Sequence, residues 1–279
     1  MAHIKTILFP TDFSDYSNKA FLYASSLASA FGAKLVLLHV AELEESDPAN
    51  PQHSFAALDA YNGAKETERI VIRGHAPYKD ILEISRAKSC DLIVMATHGR
   101  SALSQFFLGG SVAEEVARFS SIPVLIVKVE PGSDPASYTG NLKEVLFTTD
   151  FSEASAHAFP YAVIFARKFG AKLYSLHVID EDSTDYYSSK GISRDDEDFR
   201  SRVEELLKQF VTTLVDSDAV TSYNIAEGRA ETEIVRFAEA NGIDLIAISG
   251  QGHNALEDAI LGTTTDRVIR NAHCPVLEV

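Results

Sequence analysis

One eight-residue phrase occurs twice in this chain: ILFPTDFS over Ile7–Ser14 and VLFTTDFS over Val145–Ser152, which places Asp12 and Asp150 138 positions apart. Other phrases recur in the same order. GAKLVLLHV (Gly32–Val40) pairs with GAKLYSLHV (Gly170–Val178), CDLIVMATHGRSAL (Cys90–Leu103) with IDLIAISGQGHNAL (Ile243–Leu256), and IPVLIV (Ile122–Val127) with CPVLEV (Cys274–Val279). A period of this length is a duplicated domain and not a solenoid unit, because solenoid repeats run about 20–50 residues. Two length changes separate the copies. About fifteen extra residues fall between Val178 and Gly228, and one extra residue sits near Gly109 and Gly110 in the first copy. The stretch around residues 130–141, rich in Pro, Gly and Ser, reads as the linker, giving domains at 1–130 and 141–279.

Within each copy, strand and helix signals alternate. In the first, the apolar runs Ile4–Phe9, Leu35–Val40, Arg69–Ile72, Leu92–Ala96 and Val124–Val129 suit strands covered on both faces. Ala20, Ala24, Leu27, Ala28 and Phe31 mark one face of a first helix, with Ser14 and Asp15 at its start and Gly32 at its end. Ile81, Leu82, Ile84 and Ser85 mark another helix. In the second copy, Pro160 lies inside the helix expected from Ser152 to Phe169 and should kink it. The expected fold is α/β: two tandem, doubly wound, open parallel sheets of five strands each. Such sheets take ligands beyond the carboxyl ends of their strands, where the winding reverses. Asp12 and Asp150 fall at that rim.

Composition removes several function classes. The net charge of −15, without a local Lys/Arg cluster, argues against nucleic acid as a partner. No apolar run is long enough to span a membrane. The opening MAHIKTILFPTDF reaches Pro10 and Asp12 too early for a secretory signal, and two cysteines, Cys90 and Cys274, make no disulfide framework. A cytoplasmic setting is expected, with both cysteines packing apolar strand ends.

Glycine-containing segments follow the fourth strand of each copy, Ala96–Glu115 and Ser249–Arg267. Each runs into a helix start, with Ser111 and Glu114 forming a capping box in the first and Thr263 and Asp266 resembling one in the second. Glycine next to free amides at a helix start is an anion site, although such loops also serve simply as turns. A G-x-x-x-x-G-K-[ST] loop is absent, and Gly250-x-Gly252-x-x-Ala255 lacks the context of a dinucleotide fingerprint. Asp12 and Asp150 read as carboxylates bonded to backbone amides or a sugar hydroxyl, ahead of metal ligands or general bases. His39 and His177 read as satisfied buried histidines, since each stands in a separate copy. No Cys-x-x-Cys or His-x-x-x-His spacing supports structural zinc.

Taken together, PTDFS at 10–14, TTDFS at 148–152, the LHV segments ending at Val40 and Val178, DLIVMATHGRS at 91–101, LGGSVAEEV at 108–116, LGTTTDRVI at 261–269 and the two PVL segments resemble the universal stress protein family, in its tandem form. The resemblance covers nearly the whole chain and implies an adenine nucleotide alpha hydrolase-like fold. It also implies ATP binding, with Asp12 and Asp150 at the ribose and the backbone at Val40 and Val178 reading adenine. The family's G-x2-G-x9-G-[ST] phosphate loop maps onto Ser249, Gly252, Gly262 and Thr263 in the second copy. In the first it maps onto Ala96, Gly99, Gly110 and Ser111, so the first glycine is replaced in both. Gly109, Arg100 and Val112 in one copy, and His253 and Thr264 in the other, complete the nucleotide-binding candidates. A divalent ion, Mg2+ or Mn2+, would accompany the triphosphate. The second copy carries a long acidic insert beside its adenine site, whereas the first has a short connection between Val40 and Gly74 with little room for a full helix.

The reading that follows is a stress-response regulator switched by ATP or a related adenine nucleotide. Its competitor is a nucleotide-free scaffold working through protein or apolar-ligand contacts. No nucleophile–base pair supports a dedicated enzyme, which leaves at most slow ATP hydrolysis. The final strands are candidates for edge-to-edge pairing, an internal version of the family's homodimer, and the protein partner is unspecified.

Overall fold

Runs such as Ile7–Phe9 and Val145–Phe147 are apolar on both faces and can be buried only under helices on either side of a sheet. The computed structural model describes residues 3–42, 55–56, 58–59, 61–98, 112–129, 132, 141–180, 184–214, 216–250 and 264–279. The chain divides into two units, His3–Asn141 and Leu142–Val279. The first contains β1 (Thr6–Pro10), α1 (Asp15–Phe31), β2 (Lys34–Glu42), β3 (Thr67–Gly74), α2 (Pro77–Ala87), β4 (Leu92–His98), α3 (Val112–Phe119) and β5 (Val124–Val129). The strand order is β3-β2-β1-β4-β5, every pair parallel. Winding runs outward from β1 to β3 and returns to β4, so the reversal lies between β1 and β4.

The second unit repeats this plan with β6 (Glu144–Thr148), α4 (Glu153–Phe169), β7 (Lys172–Ile179), α5 (Thr184–Ser189), α6 (Phe199–Thr212), β8 (Val220–Glu227), α7 (Ala230–Ala240), β9 (Leu245–Ile248), α8 (Thr264–Asn271) and β10 (Val276–Glu278). Its order is β8-β7-β6-β9-β10, again parallel throughout. The acidic insert, residues 180–198, contains α5 and leads into α6. In the shorter counterpart of the first unit, residues 55–56 and 58–59 are helical, and Phe55 and Leu58 are buried.

Capping residues set the first helix of each unit. Ser14 Oγ accepts from Ser17 N–H at 3.2 Å and Ser152 Oγ from Ser155 N–H at 3.0 Å, which satisfies amides a helix start leaves open. At the far ends, Gly32 (φ 67) and Gly170 (φ 65) take the left-handed conformation that ends a helix with a 6→1 bond. Those bonds run from Ala33 N–H to Ala28 C=O and from Ala171 N–H to Ala166 C=O, both at 2.8 Å. Pro160 sits within α4, which continues as one element to Phe169. The helices press on the first strands through matched edge-on rings, Phe9 on Phe21 at 5.6 Å and Phe147 on Phe159 at 5.1 Å.

The aspartate of the recurring Asp-Leu-Ile phrase works at the opposite end of each sheet from Asp12 and Asp150. Asp91 Oδ2 accepts from Lys5 and Thr6 N–H at 2.8 and 2.9 Å, and Asp244 Oδ2 from Lys143 and Glu144 N–H at 2.7 and 3.0 Å. Each carboxylate pairs the first amides of the central strand before the ladder begins.

Candidate functional site

At the exit of β1, the residues Thr-Asp-Phe-Ser convert a strand into a helix start by pairing backbone amides with side chains. Phe13 N–H donates to Thr11 Oγ1 at 3.0 Å, and Ser14 N–H to Asp12 Oδ1 at 3.0 Å. Ser14 O–H also donates to Asp12 Oδ1 at 2.7 Å while its oxygen caps α1. The exit of β6 has the same bonds: Phe151 N–H to Thr149 Oγ1 at 2.9 Å, Ser152 N–H to Asp150 Oδ1 at 3.0 Å, and Ser152 O–H to Asp150 Oδ1 at 2.5 Å. In each turn the bonds to the aspartate fall on Oδ1, and Oδ2 takes no part in them. The turn requires φ of 59 at Phe13 and 67 at Phe151, a region aromatic residues rarely enter. Packing against a histidine holds them there, with ring centroids 4.6 Å apart for Phe13–His39 and 4.1 Å for Phe151–His177.

That turn interrupts the sheet ladder at one residue. Thr11 N–H donates to Leu38 C=O at 2.8 Å, so the next β1-facing rung of β2 belongs to Val40. Its partners would be Thr11 C=O and Phe13 N–H. The carbonyl instead meets His39 Nδ1 at 2.8 Å, and the amide goes to the threonine hydroxyl. The second unit matches: Thr149 N–H donates to Leu176 C=O at 3.0 Å, His177 Nδ1 meets Thr149 C=O at 2.8 Å, and the diverted rung is that of Val178. Val40 and Val178 therefore turn one main-chain N–H and one C=O toward the end of the first strand, beside the aspartate. Neither valine ends its strand, as the sequence suggested for Val40. β2 continues to Glu42 because its other edge stays paired with β3, Val40 opposite Ile72.

His177 is 2% exposed. A carbonyl only accepts, so Nδ1 carries the proton, and Nε2 accepts from Tyr187 O–H at 2.6 Å. Burial pushes its pKa down to about 4, which keeps the ring neutral. His177 is thus the satisfied buried histidine the sequence suggests, whereas His39 is only half-buried and bonds Thr11 C=O through Nδ1, because no counterpart of Tyr187 covers it among the described residues. Among the described residues no group of three or more His, Cys, Asp or Glu could hold a metal ion.

Ala96 lies inside β4, opposite Val127, because β4 runs on to His98. Ser249 directly follows β9, and its carbonyl accepts from Thr265 O–H at 2.7 Å, tying the start of α8 to the strand end. Val112 and Thr264 are the first residues of α3 and α8. The strand order therefore sets Asp12, Val40 and Ala96 on one rim, and Asp150, Val178 and Ser249 on the other. Gly99, Arg100, Gly109, Gly110, Ser111, Gly252, His253, Gly262 and Thr263 lie outside the described residues. A feature the sequence reading missed links α7 to α8: Glu231 accepts from Arg229 Nη2 at 2.8 Å and Arg267 Nη1 at 3.0 Å.

The insert of the second unit is ordered around Tyr187, which is fully buried and meets Phe199 edge-on at 5.4 Å. The Arg194 guanidinium donates to Asp180 C=O. Tyr186 stacks on Phe151 at 5.4 Å with an interplanar angle of 15°, and Phe210 meets Phe151 edge-on at 5.6 Å. In the first unit Phe55 meets Phe13 edge-on at 5.0 Å, the counterpart of Phe210. Reading the insert only as acidic overlooked the adjacent tyrosines at its centre.

Cys90 and Cys274 are buried, and neither forms a disulfide. Burial pushes Cys90 up to about 11, so it is not a reactive thiolate. No helix among the described residues is long and apolar enough to cross a membrane.

Comparison with known proteins agrees with this architecture. The sequence model of the Universal stress protein family matches residues 3–128 and 141–279. A universal stress protein of Mycolicibacterium smegmatis is 26% identical over 293 residues, covering 98% of this chain and 96% of its own length. One from Methanocaldococcus jannaschii is 33% identical over 141 residues, covering 49% of this chain and 81% of its own length. The crystal structure of a universal stress protein from Archaeoglobus fulgidus shares the fold with a TM-score of 0.68 and 23% identity, covering 98% of this chain and 97% of that one.

Proposed function

The chain belongs to the universal stress protein family, as two tandem domains, and on that premise we propose that it binds ATP or a related adenine nucleotide at the strand-end crevice of one or both units, as a nucleotide-dependent regulator of a stress response. The diverted rung carries this reading. Val40 and Val178 each direct an amide donor and a carbonyl acceptor toward the crevice, complementary to adenine N1 and the 6-amino group. Asp12 and Asp150 stand beside them, held by the turn and suited to accept from ribose hydroxyls. The adenosine half of the ligand thus fits residues the structure describes.

The phosphates are assigned to the two glycine loops, where the family resemblance maps Gly99, Arg100, Gly110 and Ser111 in one unit and Gly252, Gly262 and Thr263 in the other. Backbone amides at a helix start suit an anion even on a protein of net charge −15, because their dipoles act at contact range. A divalent ion would enter with the triphosphate and neutralise part of its charge. The turn bonds give Asp12 and Asp150 a positioning role, and the proposal is regulation by occupancy.

The test is to denature the purified protein and separate the supernatant by anion exchange with detection at 260 nm. Adenine nucleotide approaching one or two equivalents supports the reading. Absence of nucleotide, together with no heat on titration with Mg-ATP, overturns it in favour of the scaffold.

A further inference from the structure

The two units differ at the turn that presents the aspartate. Phe13 and Phe151 both receive an edge-on ring from the segment between the second and third strands, Phe55 and Phe210. Only Phe151, among the described residues, also receives a stacked ring, that of Tyr186. Tyr186 is half-buried, and burial, followed by the Asp150 charge, raises its phenol above the ordinary value. The Lys190 ammonium lies 5.5 Å from the centre of the same ring. The neighbouring Tyr187 hydroxyl bonds His177, the residue before Val178. One short helix therefore touches the turn bearing Asp150 and, by a different side chain, the strand bearing Val178.

We propose that Tyr186 is a positioning residue for the second unit's ligand, a ribonucleoside phosphate: its ring clamps Phe151 in the left-handed conformation and so fixes the Asp150 carboxylate for the ribose, making the second site the tighter of the two. This rests on the adenine-nucleotide reading above. The left-handed backbone is costly for Phe151, so the conformation persists only as far as packing enforces it. His177 packs on Phe151 as His39 does on Phe13, and the stacked Tyr186 ring adds to that hold. Phe13 is without such a ring among the described residues.

The test uses the full chain in an Asp12→Ala background, so that the second site reports alone, titrated calorimetrically with Mg-ATP. Tyr186→Ala is expected to weaken binding about fivefold, the effect one aromatic pair supports. Tyr186→Phe, which keeps the stack, should bind within about twofold of the parent. A ligand-free readout accompanies this: hydrogen exchange of the Ser152 amide, bonded to Asp150 Oδ1 at 3.0 Å, should quicken in Tyr186→Ala and stay protected in Tyr186→Phe. Ile192→Ala loosens the buried packing of the same insert and leaves the stack and the Tyr187–His177 bond in place. If it weakens binding as much as Tyr186→Ala, the effect is general loosening of the insert and the proposal is overturned. Equal affinity of Tyr186→Ala and its parent overturns it while leaving nucleotide binding intact. No binding by either the parent or the unsubstituted chain overturns the nucleotide reading itself, and the proposal with it.

Discussion

Acid should weaken the second unit through His177. The ring is 2% exposed, donates from Nδ1 to Thr149 C=O at 2.8 Å and accepts at Nε2 from Tyr187 at 2.6 Å. Burial brings its pKa from 6.5 in the unfolded chain to about 4 in the fold. Below pH 6.5 the unfolded chain takes up a proton that the folded chain refuses, so stability falls with pH from about 6.5 and levels off below about 4. The span corresponds to about 3 kcal/mol, a large part of a domain's stability. Selective 13C labelling of histidine Cε1, with NMR titration, reads the midpoint directly, and loss of one signal in His177→Asn assigns it. Asparagine can still donate to Thr149 C=O but does not titrate, so urea midpoints of that variant should lose the same share of acid sensitivity. It should be less stable at neutral pH, because Tyr187 O–H then loses its acceptor. A midpoint near 6.5, or an unchanged acid limb in the variant, would refute the argument.

Three further outcomes follow from single side chains. Ser152→Ala removes both the cap on α4 and a donor to Asp150, and should lower stability by about 1 kcal/mol in urea denaturation. Ser175→Ala should raise it by about 1 kcal/mol, since the hydroxyl is fully buried with no hydrogen-bond partner among the described residues, at the place Leu37 fills in the first unit. Cys90, with its thiol pushed up to about 11 and 5% exposed, should resist a thiol reagent at pH 8 in the folded protein and react fully once denatured.

The duplicated phrases made the parallel α/β fold legible, because strand, cap and terminating glycine each have a local signal: Ser14 and Gly32 cap α1 where the sequence places them. The strand limits were less legible. β2 and β4 outrun the expected Val40 and Ala96 because their other edges remain paired, and pairing between distant segments leaves no local mark. The aspartates could be placed at a rim, but the mechanism there could not be read. It depends on a phenylalanine at positive φ and on a histidine drawing a carbonyl out of the ladder, neither of which propensity favours. His177 was legible as a satisfied buried side chain, yet the effect of His39 and His177 on Val40 and Val178 emerges only from strand parity. The insert's net acidity hid Tyr186, which packs on a turn more than 30 residues away, and Tyr187, which bonds His177.

The central claim is that a main-chain donor and acceptor at Val40 and Val178 read the edge of an adenine. Calorimetric titration of the intact chain with Mg-ATP and Mg-ITP tests it most directly, because inosine reverses adenine's pattern, presenting N1–H and a 6-oxo group. ATP should bind about a hundredfold or more tightly than ITP, since a mismatched pair leaves buried donor facing donor and acceptor facing acceptor. Equal affinities would contradict the account.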